Sequence, residues 1–342
     1  MVDAVLVGCG AMSRAWLEAA RQIEGLAVVG LVDLDLERAR ARAEEFALGG
    51  AQIASSLEEV LGRRPAEVVF DVVVPAARSG VALSALRRGC HVLSEKPLAA
   101  SLEEARAIVA AARSQGRIHA VVQNRRYHEG VRRIRRFLGS GAIGQPTSLH
   151  CDFFLAPHFG GFREEMHHVL LLDMAIHTFD AARAMTGLDA ERVYCREWEP
   201  AGSWYRQGSS AAAIFDMQDG AVFSYRGSWC ADGMRTSWEA SWRIVGTRGS
   251  LLWDGFEAIS AEGAGEERDG LFFRPCPLEV PALNPADRTG GHLGVMRDFV
   301  AAVRGGPPPE TSGDDNLKSL AMVFGAIASA ETGKPVDIES CG

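Results

Sequence analysis

Along the first 123 residues, short apolar runs alternate with stretches of helical spacing. Residues 4–7 form a continuous apolar run, the pattern of a strand buried on both faces of a parallel sheet. A glycine-rich turn follows, and Ala15, Leu17, Ala19 and Ala20 open a helix. Residues 27–32 read as a second strand and 34–47 as a second helix. Residues 68–74 predict a strand broken by Pro75, 80–88 a helix and 90–93 another strand. Residues 101–114 form an amphipathic pattern with Ser101 as N-cap and Glu104 three positions on, a capping box. Residues 118–123 close the series. Strands alternating with helices in this way predict a doubly wound parallel sheet.

The pattern changes after residue 123. A helix over 127–138 places Val131, Ile134, Phe137 and Leu138 on one face. Arg132, Arg133, Arg135 and Arg136 fall largely on the others, which predicts a solvated charged face. Strand-like segments follow at 147–155, 192–198, 210–217, 221–228, 238–245 and 250–253, with turns at 218–220 and 246–249. They predict a largely antiparallel meander with one packed face. Trp229, Trp238, Trp242 and Trp253 are expected in its core or on its open face. One helix, 171–186, interrupts the strands. Two more, 293–304 and 314–332, end the chain, with a loop at 305–309. The expected class is therefore α/β, with one domain over residues 1–123 and an α+β domain over 124–342.

Composition narrows the partners. The chain has 342 residues, 47% of them hydrophobic, enough for two packed cores and too many for a disordered chain. Its formal charge, 36 − 44 = −8, disfavours a general nucleic-acid binder and gives no reason for an anionic membrane partner. No apolar run approaches the ~20 residues of a membrane span, and a strand pattern begins too early for a signal peptide. Seven cysteines are scattered from Cys9 to Cys341 without metal-ligand spacing, which suits a reducing cytoplasm.

Three stretches carry chemistry. Gly8-Cys9-Gly10-Ala11-Met12-Ser13 is a GxGxxG pattern with Ser in third place, set between a strand and a helix. Gly8 permits the turn, Gly10 lets a pyrophosphate approach the backbone, and the helix amino terminus supplies N–H groups. Asp33 ends the next strand, 33 − 10 = 23 residues beyond Gly10. It is placed to accept a ribose 2′-hydroxyl, which favours NAD, or else to cap the following helix. Arg38 nearby leaves NADP as the alternative. Glu95-Lys96-Pro97 stops the strand at 90–93, so Lys96 is either a surface charge or an ammonium placed at the ligand-binding edge of the sheet. Asp173 and His177, four apart on a helix, share a face, where an imidazole can act as base and a carboxylate can orient it. His167 and His168 precede that helix, but adjacent histidines diverge, and no metal site is expected.

Taken together, Glu95-Lys96-Pro97, Asn124-Arg125-Arg126-Tyr127, Gly141-Ala142-Ile143-Gly144, Asp173-Met174-Ala175-Ile176-His177 and the closing segment at 329–336 resemble the glucose-fructose oxidoreductase/inositol dehydrogenase (Gfo/Idh/MocA) family, in that family's order. The resemblance implies a Rossmann domain followed by a large open sheet whose exposed face builds a homodimer or homotetramer. It implies cofactor contacts from Gly8, Gly10, Ala11, Met12 and Asp33, and from Val74, Pro75, Glu95, Lys96 and Gln123 at later strand ends. It assigns catalysis to Lys96, Asp173 and His177, with Arg125 and His292 added around the substrate. Two departures stand out. Val74-Pro75-Ala76 replaces the usual Thr-Pro-Asn, and His167–Leu172 replaces a glycine-rich run. The expected function is NAD-dependent oxidation of a secondary alcohol of a sugar or cyclic polyol. The alternatives are an NADPH-dependent ketosugar or aldose reductase and a non-catalytic sugar sensor.

Overall fold

The apolar runs of the first part assemble as one parallel sheet in the computed structural model, which describes residues 1–338; Cys341 lies outside them. In chain order the elements are β1 (Val2–Val7), α1 (Ser13–Ala20), β2 (Leu26–Val32), α2 (Leu36–Glu45), β3 (Gln52–Ala54), α3 (Leu57–Arg63), β4 (Val68–Asp71), α4 (Pro75–Arg87), β5 (His91–Ser94), α5 (Leu102–Ser114) and β6 (His119–Val121). The six strands lie in the order β3-β2-β1-β4-β5-β6, all parallel. The order reverses between β1 and β4, where a doubly wound sheet opens its ligand crevice.

Local chemistry sets the boundaries. Pro75, expected to break a strand, instead starts α4 at its first position, five residues before the predicted helix. A proline there forfeits no helical hydrogen bond. α2 begins at Leu36 because Asp35, rather than Asp33, caps it, accepting from the amides of Glu37 and Arg38. Ser101 caps α5 by accepting from the Glu104 amide, while the Glu104 carboxylate reaches back to the amide of Ala100.

The chain continues with a 3₁₀ turn (Asn124–Tyr127), α6 (Glu129–Gly139), β7 (Pro146–Phe154), a π-helical segment (Leu170–Ala175), α7 (Ile176–Thr186), β8 (Ala190–Trp198), β9 (Ser210–Met217), β10 (Val222–Ser228), β11 (Ser241–Gly246), β12 (Gly249–Trp253), β13 (Ile259–Asp269), β14 (Phe272–Leu278), α8 (His292–Val303), α9 (Gly313–Thr332) and β15 (Val336–Asp337). The described residues divide into two compact units, 1–127 with 288–317, and 128–287 with 318 onward. The first unit thus takes in 288–317 beside the residues before the boundary expected at 123. Val295, Met296, Phe299 and Val300 of α8 are buried in the same cluster as Leu6, Trp16 and Phe70. The apolar face of α8 completes the first core, which its position in the sequence does not announce.

In the second unit, nine strands lie in the order β14-β13-β12-β11-β7-β10-β9-β8-β15. β7 and β10 pair in parallel and the other neighbours are antiparallel. Along β7, Leu149, Cys151 and Phe153 are buried in alternation, as a sheet with one packed face requires. Phe179 of α7 meets Phe215, Phe223 and Tyr225 edge-on in that core. Trp229, Trp242 and Trp253 are buried and Trp238 is half exposed, while Tyr194, Ile214 and Leu252 are exposed. The arginine run is a solvated face only in part: Arg135 is exposed and Arg133 and Arg136 are half-buried. Arg126 and Arg132 are buried. Arg126 is ion-paired with Asp315, Arg133 donates to the Pro281 carbonyl, and Arg136 binds the Ala282 carbonyl and Asp287. Among the described residues no helix is long and apolar enough to cross a membrane.

Candidate active site

A groove of about 700 Å³ runs along the carboxyl edge of the parallel sheet, lined by Gly8, Gly10, Asp33, Arg38, Val73 and Val74 among others. Gly8 has φ +97°, and a Cβ there would stand 2.7 Å from the Val72 carbonyl oxygen. The turn therefore needs glycine on two counts. A Cβ at Gly10 would meet no atom within 4 Å, so this glycine keeps space open beside the backbone. The Ser13 hydroxyl donates to the Gly10 carbonyl at 2.6 Å, and Arg42 donates to the same oxygen at 3.2 Å. Both fix the turn where α1 begins. Ala11 and Met12 form the rest of it, and both are exposed.

Asp33 accepts from the Cys9 amide at 2.8 Å and the Asp35 amide at 2.9 Å. It is thus bound to the glycine turn and lines the groove. Arg38 approaches it at 3.9 Å and Asp35 at 3.5 Å. At the far end of the sheet edge, Gln123 is fully buried, and both ends of its amide lack a hydrogen-bond partner among the described residues. An orphaned buried amide is costly unless something else satisfies it. The open space at Gly10, the carboxylate at Asp33 and the amide of Gln123 fit a dinucleotide. Val74 and Pro75 start α4 beside the groove, with Val74 59% exposed.

The Glu95-Lys96-Pro97 turn follows β5, with the Lys96–Pro97 peptide in cis. Glu95 is buried. Its Oε1 accepts from the Trp16 indole at 2.8 Å and lies 3.4 Å from His292 Nε2, and its Oε2 accepts from the Lys96 amide at 3.0 Å. Burial alone would raise its pKa. The hydrogen bond and charge of His292, with the Trp16 bond, outweigh burial and hold it below the usual glutamate value. Glu95 thus acts on the turn, clamping the residue that carries the ammonium, and His292 joins that clamp. Lys96 itself is half-buried. Arg125 lies on the turn after β6, where burial pulls its guanidinium pKa down to about 10.

Sequence reasoning missed Arg78, which is 1% exposed in the first turn of α4. It donates to the Val73 carbonyl at 2.5 Å and to the Pro97 carbonyl, and its Nε lies 4.0 Å from Asp71. Asp71, at the end of β4, also accepts from Ser94, which bonds His119. Nothing in the local pattern marks an arginine for this duty.

In the second unit, Asp173 lies within the π-helical segment and His177 is the second residue of α7. The expected single helix with a regular one-turn spacing is corrected, since i→i+5 bonding widens the turn beneath Asp173. His177 is 8% exposed. Asp173 accepts from Arg163 Nε at 2.9 Å, and that guanidinium stacks between the rings of Phe159 and Phe162. Arg163 is the second residue the sequence did not reveal. His167 and His168 turn to Gln207 and Glu197 respectively. Among the described residues no group of three or more His, Cys, Asp or Glu side chains is arranged to hold a metal ion.

Comparison with known proteins supplies the family. The pattern of the Gfo/Idh/MocA oxidoreductase family, NAD-binding Rossmann fold, matches residues 2–123, and that of its C-terminal domain matches 131–252. A D-apiose dehydrogenase of Paraburkholderia graminis is 30% identical, covering 98% of this chain and 89% of that protein. A 1,5-anhydro-D-fructose reductase of Ensifer adhaerens is 27% identical, covering 98% of each. The crystal structure of an oxidoreductase from Agrobacterium radiobacter in complex with NAD+, L-tartaric acid and magnesium has the same fold. Its TM-score is 0.85 at 21% identity, with 98% of both chains covered. With the glycine turn, the Asp33 carboxylate and the clamped lysine turn in place, this chain belongs to the Gfo/Idh/MocA family of NAD-binding oxidoreductases.

Proposed function

We propose that the protein oxidises a secondary alcohol of a sugar or cyclic polyol with NAD. The observation that carries this reading is the Glu95–Lys96 turn, its Glu95 Oε1 met by both Trp16 and His292, at the carboxyl edge of the same parallel sheet whose other strand ends line the groove. The bound nicotinamide supplies a hydride acceptor. Lys96 donates a hydrogen bond to the alcohol oxygen and stabilises the negative charge that develops on it. His177 removes the hydroxyl proton, and Asp173, held by Arg163, supports the imidazolium that forms. Arg125 contributes a half-buried cation to substrate orientation. The names of the relatives, a D-apiose dehydrogenase and a 1,5-anhydro-D-fructose reductase, support a sugar-like substrate.

Arg38, within 4 Å of Asp33 and Asp35 on the groove wall, favours a second reading in which NADPH is used for reduction. Asp33 favours NAD, because a carboxylate there repels a 2′-phosphate. The test is an assay of inositols, D-apiose and 1,5-anhydro-D-fructose with both cofactors, on the parent, Lys96→Ala and His177→Ala proteins. Each variant is expected to lose ~10²-fold or more in kcat, and His177→Ala to bind NAD as before. Undiminished turnover in both variants sinks the mechanism. A clear NADPH preference sinks the assignment of Asp33.

A further inference from the structure

The loops after β4 and β5 are separate stretches of chain, yet one buried side chain joins them. Arg78 donates through one nitrogen to the carbonyl of Val73, in the groove wall, and through the other to the carbonyl of Pro97, immediately after Lys96. Its planar fork fits two carbonyls at once, which an ammonium does not. Asp71 faces it at 4.0 Å and is itself bonded by Ser94 and the Val73 amide. Burying a guanidinium is costly unless it is paired and hydrogen-bonded, and an apolar residue fills such a space at lower cost. What the arginine adds is a fixed distance between the two loops.

We infer that Arg78, backed by Asp71, is a positioning residue. It ties the wall of the dinucleotide groove to the turn that carries Lys96, and so sets where the ammonium stands beside a bound dinucleotide. The inference rests on the role given to Lys96 above.

The chain offers a direct probe, because its only lysines are Lys96, Lys318 and Lys334. Reductive methylation with ¹³C-formaldehyde gives one resonance for each lysine besides the amino terminus, and Lys96→Arg assigns the one of interest. NAD+ alone is titrated into the full chain and into Arg78→Met and Arg78→Gln, with binding followed by tryptophan fluorescence and folding by thermal melting. In both variants the Lys96 resonance is expected to move toward that of the exposed Lys334 and to respond less than half as far to NAD+. The NAD+ dissociation constant should stay within threefold, and the Lys318 and Lys334 resonances should not move. A folded variant whose Lys96 resonance and NAD+ response match the parent overturns the inference. Loss of the fold in both variants overturns it too, because the role is then structural. If the parent's Lys96 resonance ignores NAD+, the proposed function fails instead, and Arg78 is judged on the resonance position alone.

Discussion

Single residues separate what a sequence displays from what only a fold reveals. His168 has a left-handed backbone, φ +52°, with its Nδ1 2.5 Å from a Glu197 oxygen and its Nε2 3.4 Å from Glu331. The hydrogen bond that its Nδ1–H donates to Glu197 is the main cause that holds its pKa above the ordinary histidine value. A histidine whose folded pKa exceeds its unfolded one, about 6.5, adds stability that is complete below the unfolded pKa. That contribution is lost as pH rises through the folded pKa. The urea midpoint of the parent should therefore fall between pH 6 and pH 9, and His168→Gln should flatten that fall; equal slopes in the two proteins refute the assignment. The glycine turn, Asp33 and Glu95-Lys96-Pro97 were legible in the sequence because each declares itself within a few residues of a strand end. Arg78, Arg163 and the buried Arg126 and Arg132 were not. An arginine in a polar stretch looks the same whether water or a distant carbonyl receives it, and the partner of Arg133 is 148 residues away.

At the scale of elements, the Rossmann alternation could be read almost strand by strand because parallel strands are apolar on both faces. The errors lay where one residue type serves two ends. Pro75 can stop a strand or start a helix, and here it starts one. β13 and β14 escaped notice because their residues are mostly exposed and glycine-rich or proline-bearing. β14 is an edge strand, where Pro275 and Pro277 forfeit little of the ladder. A close approach between elements yields a test. Gly130, in the first turn of α6, lies against Trp253 of β12, and a Cβ there would come within 3.0 Å of three indole atoms. Trp253 is 1% exposed, so its ring has little room to yield. Alanine recovers at most about 1 kcal/mol of helix propensity, whereas overpacking costs about 1–3 kcal/mol. Gly130→Ala should therefore lower the unfolding free energy by about 1–2 kcal/mol, measured by urea titration. A stabilised variant means that the indole moves aside cheaply.

At the scale of the whole chain, the open question is which residues fold as one body, and α8 decides it. Its position in the sequence assigns it to the second part, yet its buried Val295, Met296, Phe299 and Val300 share a core with Leu6, Trp16 and Phe70. Tyr127 reinforces this attachment by donating to Asp298, and His292 by its contact with Glu95. Residues that bury one another open together, so their amides exchange with solvent as a cooperative group. Hydrogen exchange on the intact chain should then give peptides from 292–303 the same slow rate as peptides from β1. Saturating NAD+ should slow both sets together, because a ligand that binds only the folded state of a unit stabilises all of it. If peptides from 292–303 exchange instead at the rate of those from 128–287 and do not respond to NAD+, α8 belongs with the second part. His292 would then not share in the clamp on the lysine turn, and that turn would rest on Trp16 and Arg78 alone.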